Sequence, residues 1–177
     1  MSKNNPAEFS ASVIEGEIRI TLSQEASDFF KEYSKMKDRY VEINKTEAGA
    51  IIALTFIKFP WLTKAKIELA ADSVYDDQGS YCNTANISVH DIGVNSDLVE
   101  GYEEEMDDQL LEEVEEFLRD YEIVLHEALS EGDNSDVTFS VVRQDLEDLL
   151  TEFTATKTVS GNEVLKRVFP VNLSETA

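Results

Sequence analysis

The chain has 177 residues, of which 42% are hydrophobic and 29% are charged, and it contains a single cysteine, Cys82. This length and composition fit one compact domain with its own core and exclude a chain that is disordered throughout. No stretch approaches the ~18 consecutive apolar residues of a membrane span. A single cysteine forms no intramolecular disulfide, so we expect a cytoplasmic protein, in the host cytoplasm if a phage or plasmid encodes it.

The formal net charge of -22 at pH 7 is concentrated in one part of the chain. Residues 1–71 contain ten acidic and ten basic residues, whereas residues 72–152 contain 25 acidic residues against only two basic ones, Arg119 and Arg143. Adaptation to salt, or a general need for solubility, would spread the acids over the whole surface. The regional charge therefore indicates a regional function.

The N-terminal segment is predicted to form two strands and a helix. Apolar and polar residues alternate over 9–13 and again over 18–22, which predicts either a strand pair or one bent strand, with the bend at Gly16. Apolar residues then recur at helical spacing, which predicts a helix that is capped by Ser23 and ends near Lys37.

A β-rich segment is predicted to follow this helix. Residues 40–43 and the apolar run 51–59 have the pattern of a hairpin. The second strand of this hairpin is apolar on both faces, so we expect it in the middle of a sheet. Alternation over 64–69 and 85–90 predicts two more strands, and residues 72–83 between them predict a polar turn or loop.

The acidic part of the chain is predicted to form one long helix over 96–131. Ser96 is available as its N-cap and Gly132 as its stop. An apolar stripe recurs along it at spacings of three and four residues, which is typical of a helix face that packs on a core. The stripe consists of Met106, Leu110, Val114, Phe117, Tyr121, Val124 and Ala128.

The C-terminal segment is predicted to begin with a short strand over 137–142 and a second acidic helix over 144–151. Two alternatives are open for the end of the chain. Residues 154–159 and 164–169 form either a closing hairpin, or a strand and a short helix capped by Asn162.

These elements predict an α+β fold with a mostly antiparallel sheet, one long acidic amphipathic helix and two shorter helices. We expect one domain over 1–177. Its residues 1–95 form a charge-balanced, β-rich scaffold with one helix, residues 96–152 an acidic helical segment with a short strand, and residues 153–177 a closing strand or hairpin.

The candidate partner-binding residues are the carboxylates that remain when the apolar stripe is assigned to the core. Like charges three or four residues apart each cost about 0.2–0.5 kcal/mol in a helix. A sequence that keeps such repulsion without compensating lysines indicates a surface meant for a basic partner. The predicted set is Glu104, Glu105, Asp108, Glu112, Glu113, Glu115, Glu116, Asp120, Asp145, Glu147 and Asp148.

The residues that carry common catalytic chemistry do not form a recognisable pattern. His90 and His126 are the two histidines, and we interpret both as structural. Cys82 lies in a polar segment without a basic neighbour that would lower its pKa. The chain lacks the phosphate-binding, dinucleotide-binding and zinc-protease motifs, and neither its acidic loops nor Glu122 and His126 have the spacing of a calcium or di-iron site. We therefore expect no cofactor, no metal and no enzymatic activity.

The charge instead favours a binding function. Direct binding of nucleic acid is disfavoured, because an acidic surface repels phosphate. In charge and size the predicted acidic helix is similar to DNA-mimic inhibitors, namely the antirestriction and anti-CRISPR proteins, and to the acidic immunity proteins that block nuclease toxins. This likeness implies a basic nucleic-acid-binding or nuclease protein as partner, with an anchor from Tyr75, Tyr81 or Tyr102.

Two alternatives remain. The chain is an acidic adaptor or chaperone-like binding protein that forms a homodimer through its charge-balanced part, or it is an enzyme whose catalytic carboxylates are hidden among the other acids.

Overall fold

The computed structural model describes residues 9–14, 17–22, 24–75, 81–130 and 135–169. The chain divides into two compact units, Met1–Glu42 and Ile43–Ala177. The single domain over 1–177 stays a prediction. The predicted bend at Gly16, the cap Ser23 and the stop Gly132 lie outside the described residues.

The first unit contains a strand pair, which is one of the two alternatives that the sequence left open. β1 (Phe9–Ile14) and β2 (Glu17–Leu22) pair in antiparallel register, with Phe9 opposite Leu22 and Val13 opposite Ile18. The helix α1 begins at Gln24, and it continues to Lys58, so that its residues 43–58 belong to the second unit.

The length of α1 shows that two sequence predictions are wrong. The helix does not end near Lys37, and residues 40–59 do not form a hairpin with a central strand. A short, fully buried helix and a fully buried strand have the same continuous apolar pattern, so the run Ile51–Ile57 was compatible with both. Gly49 resembles a turn residue, but it lies where α1 packs against the last helix, and a Cβ atom there would overlap the backbone of Gly161.

The second unit contains an antiparallel sheet of three strands in the order β4-β3-β5. The strands are β3 (Leu62–Tyr75), β4 (Tyr81–Val94) and β5 (Val137–Val142), which confirms the three strands predicted in this region. The predicted loop at 72–83 is too long, because β3 and β4 extend into it. Its residues 76–80 lie outside the described residues.

Helices cover one face of this sheet. Ile67, Ile87 and Val141 are buried, whereas their neighbours Lys66, Asn86 and Ser140 are exposed on the other face. The covering helices in the described part of this unit are the C-terminal part of α1 together with α2 (Asp107–Arg119), α3 (Glu122–Leu129), α4 (Arg143–Thr156) and α5 (Gly161–Val168). The α+β class is thereby confirmed.

The predicted long acidic helix over 96–131 is wrong, because the chain forms several short pieces there. Two 3-10 turns, Ser96–Leu98 and Glu104–Met106, precede α2, and Gly101 between them has a φ of 68°, which no right-handed helix contains. A second interruption at 120–121 separates α2 from α3. As a result α2 lies on β4, while α3 contacts both β4 and β3.

The described end of the chain is helical, so the closing strand or hairpin predicted within 153–177 is wrong for the residues that the structure describes, and the strand predicted over 154–159 is absent there. Of the second alternative, only the short helix is confirmed. Residues 154–156 continue α4, and α5 is capped by the Ser160 hydroxyl, which accepts the backbone N–H of Glu163, and not by Asn162. The Asn162 side chain instead bonds the Thr46 hydroxyl at 2.9 Å. This contact joins α5 to α1.

Candidate acidic interaction surface

The helix α2 presents carboxylates because its opposite face is fixed in the core. Leu110, Val114 and Leu118 recur every four residues and are at most 5% exposed. Burying this row on β4 turns the other side of the helix to solvent. The exposed carboxylates there, which we call the acidic ridge, are Asp108, Glu112, Glu113, Glu116 and, just after the helix, Asp120.

The acidic ridge has a charge spacing close to that of a nucleic-acid strand. At ~1.5 Å per helical residue, Asp108 and Asp120 are separated by about 18 Å along the axis, and the five carboxylates follow one another at intervals of about 1.5 to 6 Å, with a mean of about 4.5 Å. Phosphates follow one another about every 3.4 Å along the axis of one strand of B-DNA. The ridge extends over about half of a helical turn of ~34 Å.

Most charges of the ridge are not compensated by a cation. Within the described part of the chain, Asp108, Glu112 and Glu116 form no ion pair. Among the described residues, Glu113 accepts a hydrogen bond only from the neutral Gln109 amide, at 3.4 Å. These side chains can therefore form ion pairs with the cations of a partner.

Glu115 was predicted as a partner-binding residue, but its side chain points toward β4 and does not belong to the acidic ridge. Its side chain is 24% exposed and accepts the backbone N–H of Val89 and a guanidinium N–H of Arg119, both at 3.0 Å. These bonds tie α2 to β4. Glu115 therefore holds the helix that carries the ridge.

The acidic residues just before and at the start of α2 differ in their contacts. Glu104 and Glu105 are exposed in the 3-10 turn before the helix. The hydroxyl of the half-buried Tyr102 donates to Asp107 at 2.9 Å, and because this bond favours the neutral phenol it raises the pKa of Tyr102. Tyr102 is thus a structural residue of this turn. The side chains of the other proposed anchors, Tyr75 and Tyr81, lie outside the described residues.

The second predicted acidic helix, α4, is not continuous with the ridge. It contacts β3 and β5, whereas α2 contacts β4 at the other edge of the sheet. Asp145, Glu147 and Asp148 are all exposed. Glu147 lies 3.9 Å from the Arg143 guanidinium, and Asp148 forms an ion pair with Arg167 at 2.9 Å. The structure thus has two acidic patches, and the ridge is the one with fewer internal cations.

A cavity of about 330 Å³ adjoins the ridge, and it was not predicted from the sequence. The buried Phe59 and the half-buried Phe117 lie against each other with ring centroids 5.9 Å apart. The ammonium group of Lys58 lies 4.2 Å from the centroid of Phe117, at the distance of a cation–π contact. Glu113, Glu116 and Asp120 complete the lining. The arrangement combines an aromatic surface that accepts a cation with three carboxylates.

The two histidines are not brought into this surface. The exposed His90 bonds Glu68 at 2.6 Å, and His126 is 6% exposed and, within the described part of the chain, has no hydrogen-bond partner for Nε2. Among the described residues, no group of three histidine, cysteine or carboxylate side chains has a geometry suited to a metal ion. None of the described helices is long and apolar enough to cross a bilayer.

In comparisons with known proteins, no protein-family model, no curated protein and no solved structure matches the chain significantly.

Proposed function

We propose that the protein is a non-enzymatic inhibitor whose acidic ridge occupies the basic site of a DNA- or RNA-binding or nuclease protein, in the manner of antirestriction, anti-CRISPR or immunity proteins. The observation that carries the proposal is the spacing of uncompensated carboxylates along α2. A groove that places lysine and arginine against successive phosphates of one strand meets negative charges at a comparable mean spacing along the ridge.

The rigid attachment of α2 supports this proposal. A mimic presents its charges without ordering a flexible segment, which lowers the entropic cost of binding. The buried row on β4 and the two hydrogen bonds of Glu115 hold the ridge in one orientation. Association is electrostatically steered, fast at low salt and weakened as salt screens the charges.

The cavity beside the ridge supplies the contact that charge alone lacks. Tight interfaces usually depend on a few anchors that enter a pocket. An arginine side chain of the partner stacks on Phe117 and pairs with Glu113 or Glu116, in place of the Lys58 ammonium that lies there now. Lys58→Met removes this internal competitor, so we expect it to strengthen binding several-fold.

A cleavage assay tests the proposal. A panel of restriction enzymes, CRISPR effectors and nuclease toxins is assayed on duplex DNA with increasing amounts of the protein. We expect one class to be inhibited, with inhibition relieved by excess non-substrate DNA and by salt. Inhibition that survives a large excess of competing DNA contradicts occupation of the nucleic-acid site.

Two matched variants separate the ridge from general acidity. The ridge variant removes four charges and keeps Glu115, which holds the fold: Asp108→Asn, Glu112→Gln, Glu113→Gln and Glu116→Gln. The control variant removes four charges at exposed positions elsewhere: Asp38→Asn, Glu47→Gln, Glu100→Gln and Glu152→Gln. We expect inhibition to be lost in the first and kept in the second. Equal loss in both, or in neither, rejects the ridge as the binding surface.

A further inference from the structure

The N-terminal part of α1 has a stripe of large apolar side chains at its surface. Phe29 is 62% exposed, Phe30 48%, Tyr33 55%, Met36 63% and Tyr40 57%. Scattered apolar residues are ordinary on a protein surface, but a contiguous row of aromatic residues marks an interaction site. These five residues are called the aromatic stripe below.

The spacing of the aromatic stripe is that of a helix–helix seam. Phe29, Tyr33, Met36 and Tyr40 are separated by four, three and four residues. This alternation gives a period of 3.5 residues, with which two helices pack along a shared axis, knobs into holes. In heptad terms Tyr33 and Tyr40 are a positions, and Phe29 and Met36 are d positions. The occupant that this seam fits is therefore a helix.

We infer that the occupant is the same stripe of a second copy, so that the protein forms a homodimer through α1. The charges beside the seam are complementary to themselves. Glu32 is a g position, Lys37 an e position and Arg39 a g position. In a parallel pair Glu32 faces Lys37 of the second copy, and in an antiparallel pair it faces Arg39 of the second copy. In both directions each Glu32 meets a base.

The charge of this segment also favours a second copy over a basic protein. Residues 24–42 contain five acidic and four basic residues, so the segment lacks the strong negative charge that would attract a basic partner. Two such segments do not repel each other strongly. The inference is independent of the acidic ridge, which lies on the other compact unit.

The exposed area of the stripe is large enough for a stable dimer contact, and the unit that carries it is small enough to need one. If each large side chain has a surface of ~200 Å², the exposed parts of the five residues amount to about 550 Å² per copy, or about 1,100 Å² in a pair. Specific interfaces bury at least about 1,000 Å². The unit that carries the stripe, Met1–Glu42, is close to the ~40 residues below which a chain usually needs a partner to complete its core.

Sedimentation equilibrium of the full chain tests the inference. We expect a mass of twice 19.9 kDa at micromolar concentration. Apolar contacts carry the seam, so we expect the dimer to persist when sodium chloride is raised from about 0.05 M to about 0.5 M, whereas the proposed inhibition weakens. A mass of 19.9 kDa at every concentration and both salts, or open growth into larger assemblies, overturns the inference.

A pair of variants with equal charge change locates the interface. Tyr33→Lys with Met36→Lys adds two positive charges within the stripe, and Ser34→Lys with Asp38→Asn adds two on the opposite side of the helix. We expect the first variant to be monomeric, with unchanged helix content by circular dichroism, and the second to remain dimeric. A first variant that is still dimeric, or a second that is monomeric, places the contact elsewhere and overturns the inference.

Discussion

Removing one charge from the middle of the acidic ridge is expected to stabilise the fold, and Glu112→Gln is the most informative change. Glu112 is exposed and lies three or four residues from Asp108, Glu115 and Glu116. Each like-charge pair at this spacing costs about 0.2–0.5 kcal/mol. Relief of the pairs with Asp108 and Glu116 therefore raises the free energy of unfolding by about 0.4–1.0 kcal/mol, and the pair with Glu115 adds less because Arg119 offsets that charge. Glutamine keeps the length and helix propensity of the side chain.

Urea unfolding measures this gain without adding salt, because urea is uncharged. Trp61, the only tryptophan, is 9% exposed in the same compact unit and reports unfolding by fluorescence. We expect a higher midpoint with an unchanged slope at low ionic strength, and a gain that shrinks as salt screens the repulsion. Glu163→Gln is the matched control, because Glu163 pairs with Lys166 at 2.6 Å and its loss is neutral or slightly destabilising.

A stability that is unchanged or lower in Glu112→Gln at low salt refutes the reasoning, because it means that the ridge is not under electrostatic strain. If Glu112→Gln is more stable and also inhibits more weakly, the charge repulsion along the ridge lowers the stability of the fold but is needed for binding.

Three further predictions concern the fold around the ridge. Gly161→Ala places a Cβ atom against the carbonyl oxygen of Thr46 and forces α5 away from α1, so we expect a loss of at least about 2 kcal/mol in urea unfolding. His126→Leu removes a buried nitrogen without a hydrogen-bond partner, and we expect a gain of about 1 kcal/mol; a loss would show that the ring makes a needed contact. The hydrogen bond from Lys64 lowers the pKa of Asp91 below 3.8, so its stabilisation is present above the unfolded pKa and is lost as pH falls through the folded pKa. Acid titration of stability should therefore be shallower in Asp91→Asn, and identical titrations would contradict the assigned shift.

The strands were predictable from sequence where apolar and polar residues alternate regularly. The strands at 64–69, 85–90 and 137–142 and the strand pair at the N-terminus follow from a period of two, which a helix cannot satisfy on one face. The buried face of α2 was predictable in the same way, because Leu110, Val114 and Leu118 repeat at helical spacing and only one side of the helix is apolar.

The continuous apolar run in α1 was not decidable from sequence. Ala48, Ile52 and Phe56 are at most 1% exposed because strands and helices surround this part of the chain on several sides. Apolar residues also occupy the exposed side of this segment, as at Leu54, so the sequence shows no periodicity there and the secondary structure depends on the neighbours against which the segment packs. The contact between Gly49 and Gly161, 112 residues apart in the chain, is one of the contacts that place it.

The α+β class and the location of the negative charge were predictable from the sequence alone, because both follow from local pattern and composition. How far that charge extends as a surface depends on tertiary packing. The interruptions at Gly101 and at residues 120–121 shorten the predicted acidic helix to α2, since the chain must bend to lay both α2 and α3 on the sheet. Packing also assigned Glu115 to the fold and brought Lys58 beside Phe117, because those contacts join residues far apart in sequence.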